Sequence, residues 1–234
     1  MADYLNHLLF GWYPYFCLTV FLVGSAVRFD REQFSWRSGS SQLLRRQQLM
    51  WGSNLFHIGI LVIFMGHFFG LLTPIWVFEA LGIPHSAKQL LAMVVGGVAG
   101  LICLVGLVLL LQRRLSDPRI RATSAFSDIA ILFVLLAQLA LGLSTIAISA
   151  HHLDGGEMVK FMTWAQGVFA LQPDNWQAVA DVSPIFKAHL VLGMTIFLIF
   201  PFTRLVHIWS APVWYLGRQG YQVVRTRKSL SAAE

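Results

Sequence analysis

The sequence predicts an all-α membrane protein, a bundle of five transmembrane helices with the N-terminus outside and the C-terminus cytoplasmic. Hydrophobic residues make up 56% of the chain and charged residues only 12%. The apolar residues gather in long runs rather than scattering, which is the pattern of a chain that lives in a bilayer. The cations cluster in alternate connections between the runs, as topology selection requires.

The first span is expected at about 9–27, with Trp12, Tyr13 and Tyr15 as interfacial aromatics near its start. No basic region precedes it, so it reads as a permanent span and not a cleaved leader. The second is expected at 50–72, stopping before Thr73 and Pro74, and the third at 90–111, ending at Gln112, Arg113 and Arg114. The fourth covers 126–148. Ser124 or Ser127 is its expected cap, and Asp128 falls in the first turn, where the helix dipole favours an acid. A long connection follows, and its stretch from Met158 to Leu171 reads as a short interfacial helix carrying Trp164. The fifth span is expected at 186–209, followed by a cytoplasmic tail at 210–234. No repeat or second domain is visible, so residues 1–234 form one domain.

The orientation comes from Lys and Arg. One side receives Arg28, Arg31, Arg37, Arg45 and Arg46, then Arg113, Arg114, Arg119 and Arg121, then Arg204 and the tail cations Arg218, Arg225, Arg227 and Lys228. The other receives only Lys88, Lys160 and Lys187. The first side is therefore cytoplasmic. This placement also explains the net charge of +6, which in a soluble protein would have pointed to nucleic acid. Cys17 and Cys103 both lie in apolar runs and suit buried packing. Without a C-x-x-C-H sequence, covalent haem attachment is excluded.

Histidine inside a span is costly and calls for a partner or a metal. Span two carries His57 and His67, and span five carries His189 and His207. The first two are ten residues apart, about 15 Å along a helix, too far to share one ion. The spans are antiparallel, which pairs His57 with His207 at the inner level and His67 with His189 at the outer level. Along span five, eighteen residues make five full turns, so both rings would project from one helix face. That rise is about 27 Å against about 15 Å in span two, a mismatch left to tilt, side-chain lean and a kink at Pro201.

Gly70 and Gly193 lie three and four residues from His67 and His189 and leave side-chain-free patches on the histidine faces, where a flat ring can approach the backbone. Arg204, three residues before His207, supplies a cation for a propionate. Two bis-histidine haems are favoured over polar helix contacts, over a proton relay, which would call for carboxylates in these spans, and over zinc, whose tetrahedral shell two imidazoles leave half empty. His7, His85, His151 and His152 are weaker candidates for contact with a substrate. Lys88 stands at the outer end of span three near the expected outer haem, where a snorkelling anchor competes with a role at that haem.

The segments SNLFHIGI, GHFFGLLTP, PRIRATS, HLVLGMT and FPFTRLVHIWSAPV resemble the gamma subunit of membrane-bound respiratory nitrate reductases, and the likeness covers nearly the whole chain. It implies a cytochrome b of a bacterial inner (plasma) membrane with two haem b groups, His57 and His207 ligating the inner iron and His67 and His189 the outer. It also implies quinol oxidation near the outer face, bordered by Gly66, His67 and Lys88. Electrons would pass to an iron–sulfur subunit and on to a molybdenum subunit, where nitrate reduction occurs. Moving each electron inward costs about 2.3 kcal/mol per 100 mV of membrane potential. The alternatives are a di-haem cytochrome of another quinone-linked complex (hydrogenase, formate dehydrogenase or sulfur metabolism) and a haem-free transporter with histidines in its path.

Overall fold

A computed structural model describes residues 1–36, 41, 43–211, 213 and 217. Arg37 and most of the expected tail, including Arg218, Arg225, Arg227 and Lys228, lie outside the described residues.

Five helices are long and apolar enough to cross a membrane. They are α1 (Ala2–Arg31), α2 (Arg46–Leu72), α3 (His85–Ser116) and α4 (Phe126–Ser149), with the last span at Pro184–Phe202. Between α4 and the last span lies α5 (Gly156–Phe169), and the regular part of the last span is α6 (Pro184–Ile199). No strand occurs among the described residues. The helices overrun the expected apolar runs because their charged ends, such as His85 and Arg113–Arg114 of α3, continue the backbone ladder beyond the hydrocarbon.

The spans pack in the order α2–α3–α4–α6–α1. Glycine sets the closest seam, between α2 and α3. A Cβ on Gly59 would lie 2.6 Å from the Ala99 carbonyl oxygen and 2.6 Å from Cys103 Cβ. Lower on the same seam, Gly106 faces the backbone of Phe56 and Gly52. Small residues allow this approach where no hydrophobic effect drives helices together. Cys17 and Cys103 are free and buried, as their apolar settings predict.

Three local expectations need correction. The fifth span is not one helix over 186–209. Here α6 ends at Ile199, a 3-10 turn covers Phe200–Phe202, Thr203 is extended (φ −120°, ψ 178°), and a new 3-10 helix runs over Arg204–Ser210. Pro201 has no N–H and cannot continue the α ladder. Thr203 serves both sides of the break, its hydroxyl donating to the Phe200 carbonyl (3.1 Å) and accepting from the Leu205 N–H (3.3 Å). The five continuous turns expected between His189 and His207 are therefore absent.

Neither Ser124 nor Ser127 caps α4. Ala125 occupies the cap, and its N–H is met by the Asp128 carboxylate (3.4 Å), while the Ser124 hydroxyl donates to the Ile120 carbonyl. Trp164 of α5 is not interfacial either. It is buried against Phe10, Val179 and Phe186, and its indole N–H donates to the Phe10 carbonyl (2.9 Å). That bond ties α5 to α1 near the α1 N-terminus. Lys160 of α5 reaches Asp181 (2.9 Å) and Glu157 (3.2 Å), and the ammonium holds the Asp181 carboxyl below the usual carboxylate range.

If the α2–α3 seam depends on close backbone approach, Gly59→Val should cost about 1–3 kcal/mol by overpacking. Thermal loss of helicity in detergent should begin at lower temperature than for the unaltered chain. Gly96→Val is the control, since a Cβ at Gly96 meets nothing within 4 Å. Equal midpoints for the two variants would remove the seam's role.

Candidate functional site

A space separates α2 from the last span and the segment that follows it, and His57, His67, His189 and His207 border it. No packed seam joins α2 to α6, since α2 lies against α3 and α6 against α1 and α4. Two histidine pairs face each other across that space at two depths. The rings of His57 and His207 have centroids 6.3 Å apart, and those of His67 and His189 are 6.2 Å apart. The antiparallel pairing expected from the sequence is the pairing found.

Those separations discriminate between readings. Two imidazoles joined by a direct N–H···N bond have centroids at most about 5.4 Å apart. Two imidazoles on opposite sides of one metal ion, each about 2.0 Å from it, have centroids about 6.2 Å apart. Both pairs sit at the second distance. Each offers two imidazoles, and among the described residues no group of three or more His, Cys, Asp or Glu surrounds a common point. Each pair would suit a haem iron, with the two imidazoles holding it to the protein.

The other ring nitrogen supports that assignment. His57 Nδ1 lies 2.7 Å from the Ser53 carbonyl, His67 Nδ1 2.8 Å from the Ile63 carbonyl, and His207 Nδ1 2.6 Å from the Arg204 carbonyl. A carbonyl only accepts, so Nδ1 carries the proton and Nε2 keeps its lone pair for a metal. Ser53 adds its hydroxyl to the His57 contact at 3.2 Å. His67 and His207 reach carbonyls four and three residues back, the spacing of an α turn and of a 3-10 turn.

His189 is the exception. Its Nδ1 is buried without a partner, and α4 holds the ring instead. The Gln138 amide nitrogen donates to the His189 carbonyl (3.1 Å) and approaches ring Nε2 at 3.4 Å. A Cβ on Gly142, one turn further along α4, would lie 3.0 Å from His189 Cε1. Sequence reasoning missed both residues. The available signal was a lone glutamine inside the apolar run ILFVLLAQLALG, a polar group that hydrocarbon penalises without a partner.

The glycines divide. Gly66 and Gly70 border open space, since a Cβ on either meets nothing within 4 Å. At Gly193 the Cβ position faces the Gln138 amide at 3.2 Å, so this glycine admits a side chain of α4. Arg204 lies near the inner pair and faces Asp128 at 3.7 Å, and Arg114 approaches the other Asp128 oxygen at the same distance.

Lys88 does not snorkel. It is only 8% exposed, and its ammonium donates to the Gly70 carbonyl (2.7 Å) and to Met162 Sδ (2.7 Å), 3.9 Å from the Phe78 ring centre. It thus reaches across from α3 to the end of α2, one turn beyond His67. The remaining histidines stay apart from the pairs. His7 packs between Trp12 and Trp176, His85 lies 3.9 Å from Glu79, and the His152 carbonyl accepts from Gln89.

Residues 6–227 match the family described as nitrate reductase gamma subunit. The respiratory nitrate reductase 1 gamma chain of Escherichia coli (strain K12) is 54% identical over 96% of this chain and 99% of its own length. The nitrate reductase gamma chain of Bacillus subtilis (strain 168) is 38% identical over 95% and 99%. A nitrate reductase-like protein of Mycobacterium tuberculosis is 33% identical over 98% of this chain, which spans 35% of that longer protein. With its five apolar helices, the chain is a multi-pass membrane protein and belongs to the nitrate reductase gamma subunit family.

Proposed function

We propose that this chain is the di-haem cytochrome b of a quinol-oxidising nitrate reductase, with His57 and His207 binding the inner haem iron and His67 and His189 the outer. The observation that carries the reading is the pair of imidazole separations, too long for hydrogen bonds and matched to an intervening ion. When bound, the haems supply one-electron carriers at two depths in the membrane.

The chain's own residues do the rest. Ser53, Ile63 and Arg204 fix three imidazoles through their carbonyls, while Gln138 holds the backbone of His189 and Gly142 leaves room for its ring. Arg204 and Arg114 supply positive charge beside the inner level, where Asp128 already balances part of it. Gly66 and Gly70 leave room beside His67 for a flat ligand. Lys88 has three N–H donors, of which the Gly70 carbonyl and Met162 take two, leaving one for a quinol oxygen or for the anion formed as it is oxidised. Protons released there leave on the outer side, and the cation-rich inner side faces the iron–sulfur and molybdenum subunits. A visible spectrum of the purified complex, with haem and molybdenum analysis, tests the whole reading. Absence of low-spin b haem defeats it.

Ligand pairing makes a separate forecast. His67→Ala should remove the outer haem and quinol oxidation and spare the inner haem, because each iron needs its own imidazole pair. Two haems per chain in that variant would refute the pairing.

For Lys88, replacement by alanine should slow quinol-dependent haem reduction at least about tenfold, equivalent to about 1.4 kcal/mol of transition-state stabilisation. Dithionite should still reduce both haems fully. Unchanged quinol kinetics per haem would leave Lys88 a purely structural tie between α3 and α2.

A further inference from the structure

The inner ligand His207 stands on the irregular segment beyond the Pro201 break, which α6 alone cannot hold in place. Leu205 and Val206 pack on Ile131 of α4, and one stripe of α1 braces the backbone. Phe21 stacks on Trp209 (centroids 5.3 Å apart, planes at 26°) and meets Phe200 edge to face at 4.8 Å. Gly24 seats the proline, because a Cβ there would lie 2.9 Å from Pro201 Cγ. Ser25 accepts the Trp209 indole N–H at 3.4 Å. Arg28 completes the stripe, one Nη1 donating to the Pro201 carbonyl (2.6 Å) and to the Thr203 carbonyl (2.9 Å). Its Nη2 and Nε bind the Ser35 carbonyl and hydroxyl. Residues 21, 24, 25 and 28 follow the spacing of one helix face.

We infer that Arg28 and Gly24 are positioning residues for the inner haem ligand, fixing the broken fifth span so that His207 stands opposite His57. The inference rests on the haem reading above. A guanidinium suits the task because its planar fork can meet several carbonyls at once, and a backbone broken inside the membrane has carbonyls that water does not reach. Pro201 and Thr203 are both buried. The outer ligand His189 needs no such device, because it lies within the regular α6, fourteen residues before Thr203.

The test uses the assembled complex with Arg28→Gln, Arg28→Lys and Gly24→Ala. His57→Ala and His67→Ala serve as references that assign the two low-spin haem signals. Haem content, redox-titrated spectra and electron paramagnetic resonance are read for each haem. In Arg28→Gln and Gly24→Ala the inner haem should be retained at least about tenfold less tightly, the effect typical of losing an outer partner of a metal ligand, or be kept with a shifted resonance and midpoint. The outer haem should be unchanged, and Arg28→Lys, which keeps a charge without the fork, should fall between. If Arg28→Gln fails to accumulate, Gly24→Ala decides. Unaltered inner signals, or equal loss of both haems, overturn the inference and leave the haem reading standing. An unaltered complex without b haem overturns both.

Discussion

A polar nitrogen placed in hydrocarbon calls for a partner, and three of the four facing histidines find one on their own backbones. Helices are the form in which a backbone crosses a bilayer without leaving polar groups bare. A helix also supplies the simplest partner for a histidine, the carbonyl one turn back. His57, His67 and His207 use it, which leaves their Nε2 atoms with a free lone pair. The second satisfaction must come from outside the helix. At 6.2 and 6.3 Å the facing rings cannot give it to each other directly. The packing thus holds the two rings of each pair apart.

The packing serves that separation. Glycines bring α2 hard against α3, while α6 is carried by α1 and α4, so the two histidine-bearing elements are held by their outer neighbours and kept off each other. Gly66 and Gly70 extend the open space along α2. Trp164 ties α5 to α1, and the Lys160–Asp181 pair ties it to the following loop. Lys88 is turned inward beneath α5, against Met162 and the end of α2.

Which histidine faces which was legible in the sequence because it follows from antiparallel order, whereas depth was not, since helical rise along an unbroken fifth span misjudges it. Membership of the membrane class was legible from the length of the apolar runs. The break at Thr203 was only half legible. Pro201 announces a kink, but whether a helix bends or stops depends on what accepts the freed carbonyls, and Arg28 lies 173 residues away in the chain. The roles of Gln138 and Gly142 were hidden for a related reason. A glutamine in an apolar run signals a partner without saying which, and only the approach of α4 to α6 identifies His189. Lys88 was read as a choice between anchor and ligand because a lysine at a helix end can turn either way; its neighbours, not its position, decide.

The two sites are consequently unequal in construction. The His67–His189 pair joins two regular helices, and a glutamine from a third holds the His189 backbone by donating to its carbonyl, while His189 Nδ1 has no partner among the described residues. The inner pair joins a regular helix to a 3-10 segment whose backbone is fixed by a fourth element, α1. The break removes the rise that a continuous helix would impose between His189 and His207, which at about 27 Å would overshoot the spacing of His57 and His67 by about 12 Å. Interrupting the helix brings both pairs into register without moving either histidine in the sequence. The cost is a set of carbonyls exposed inside the membrane, and Arg28 meets that cost with one side chain.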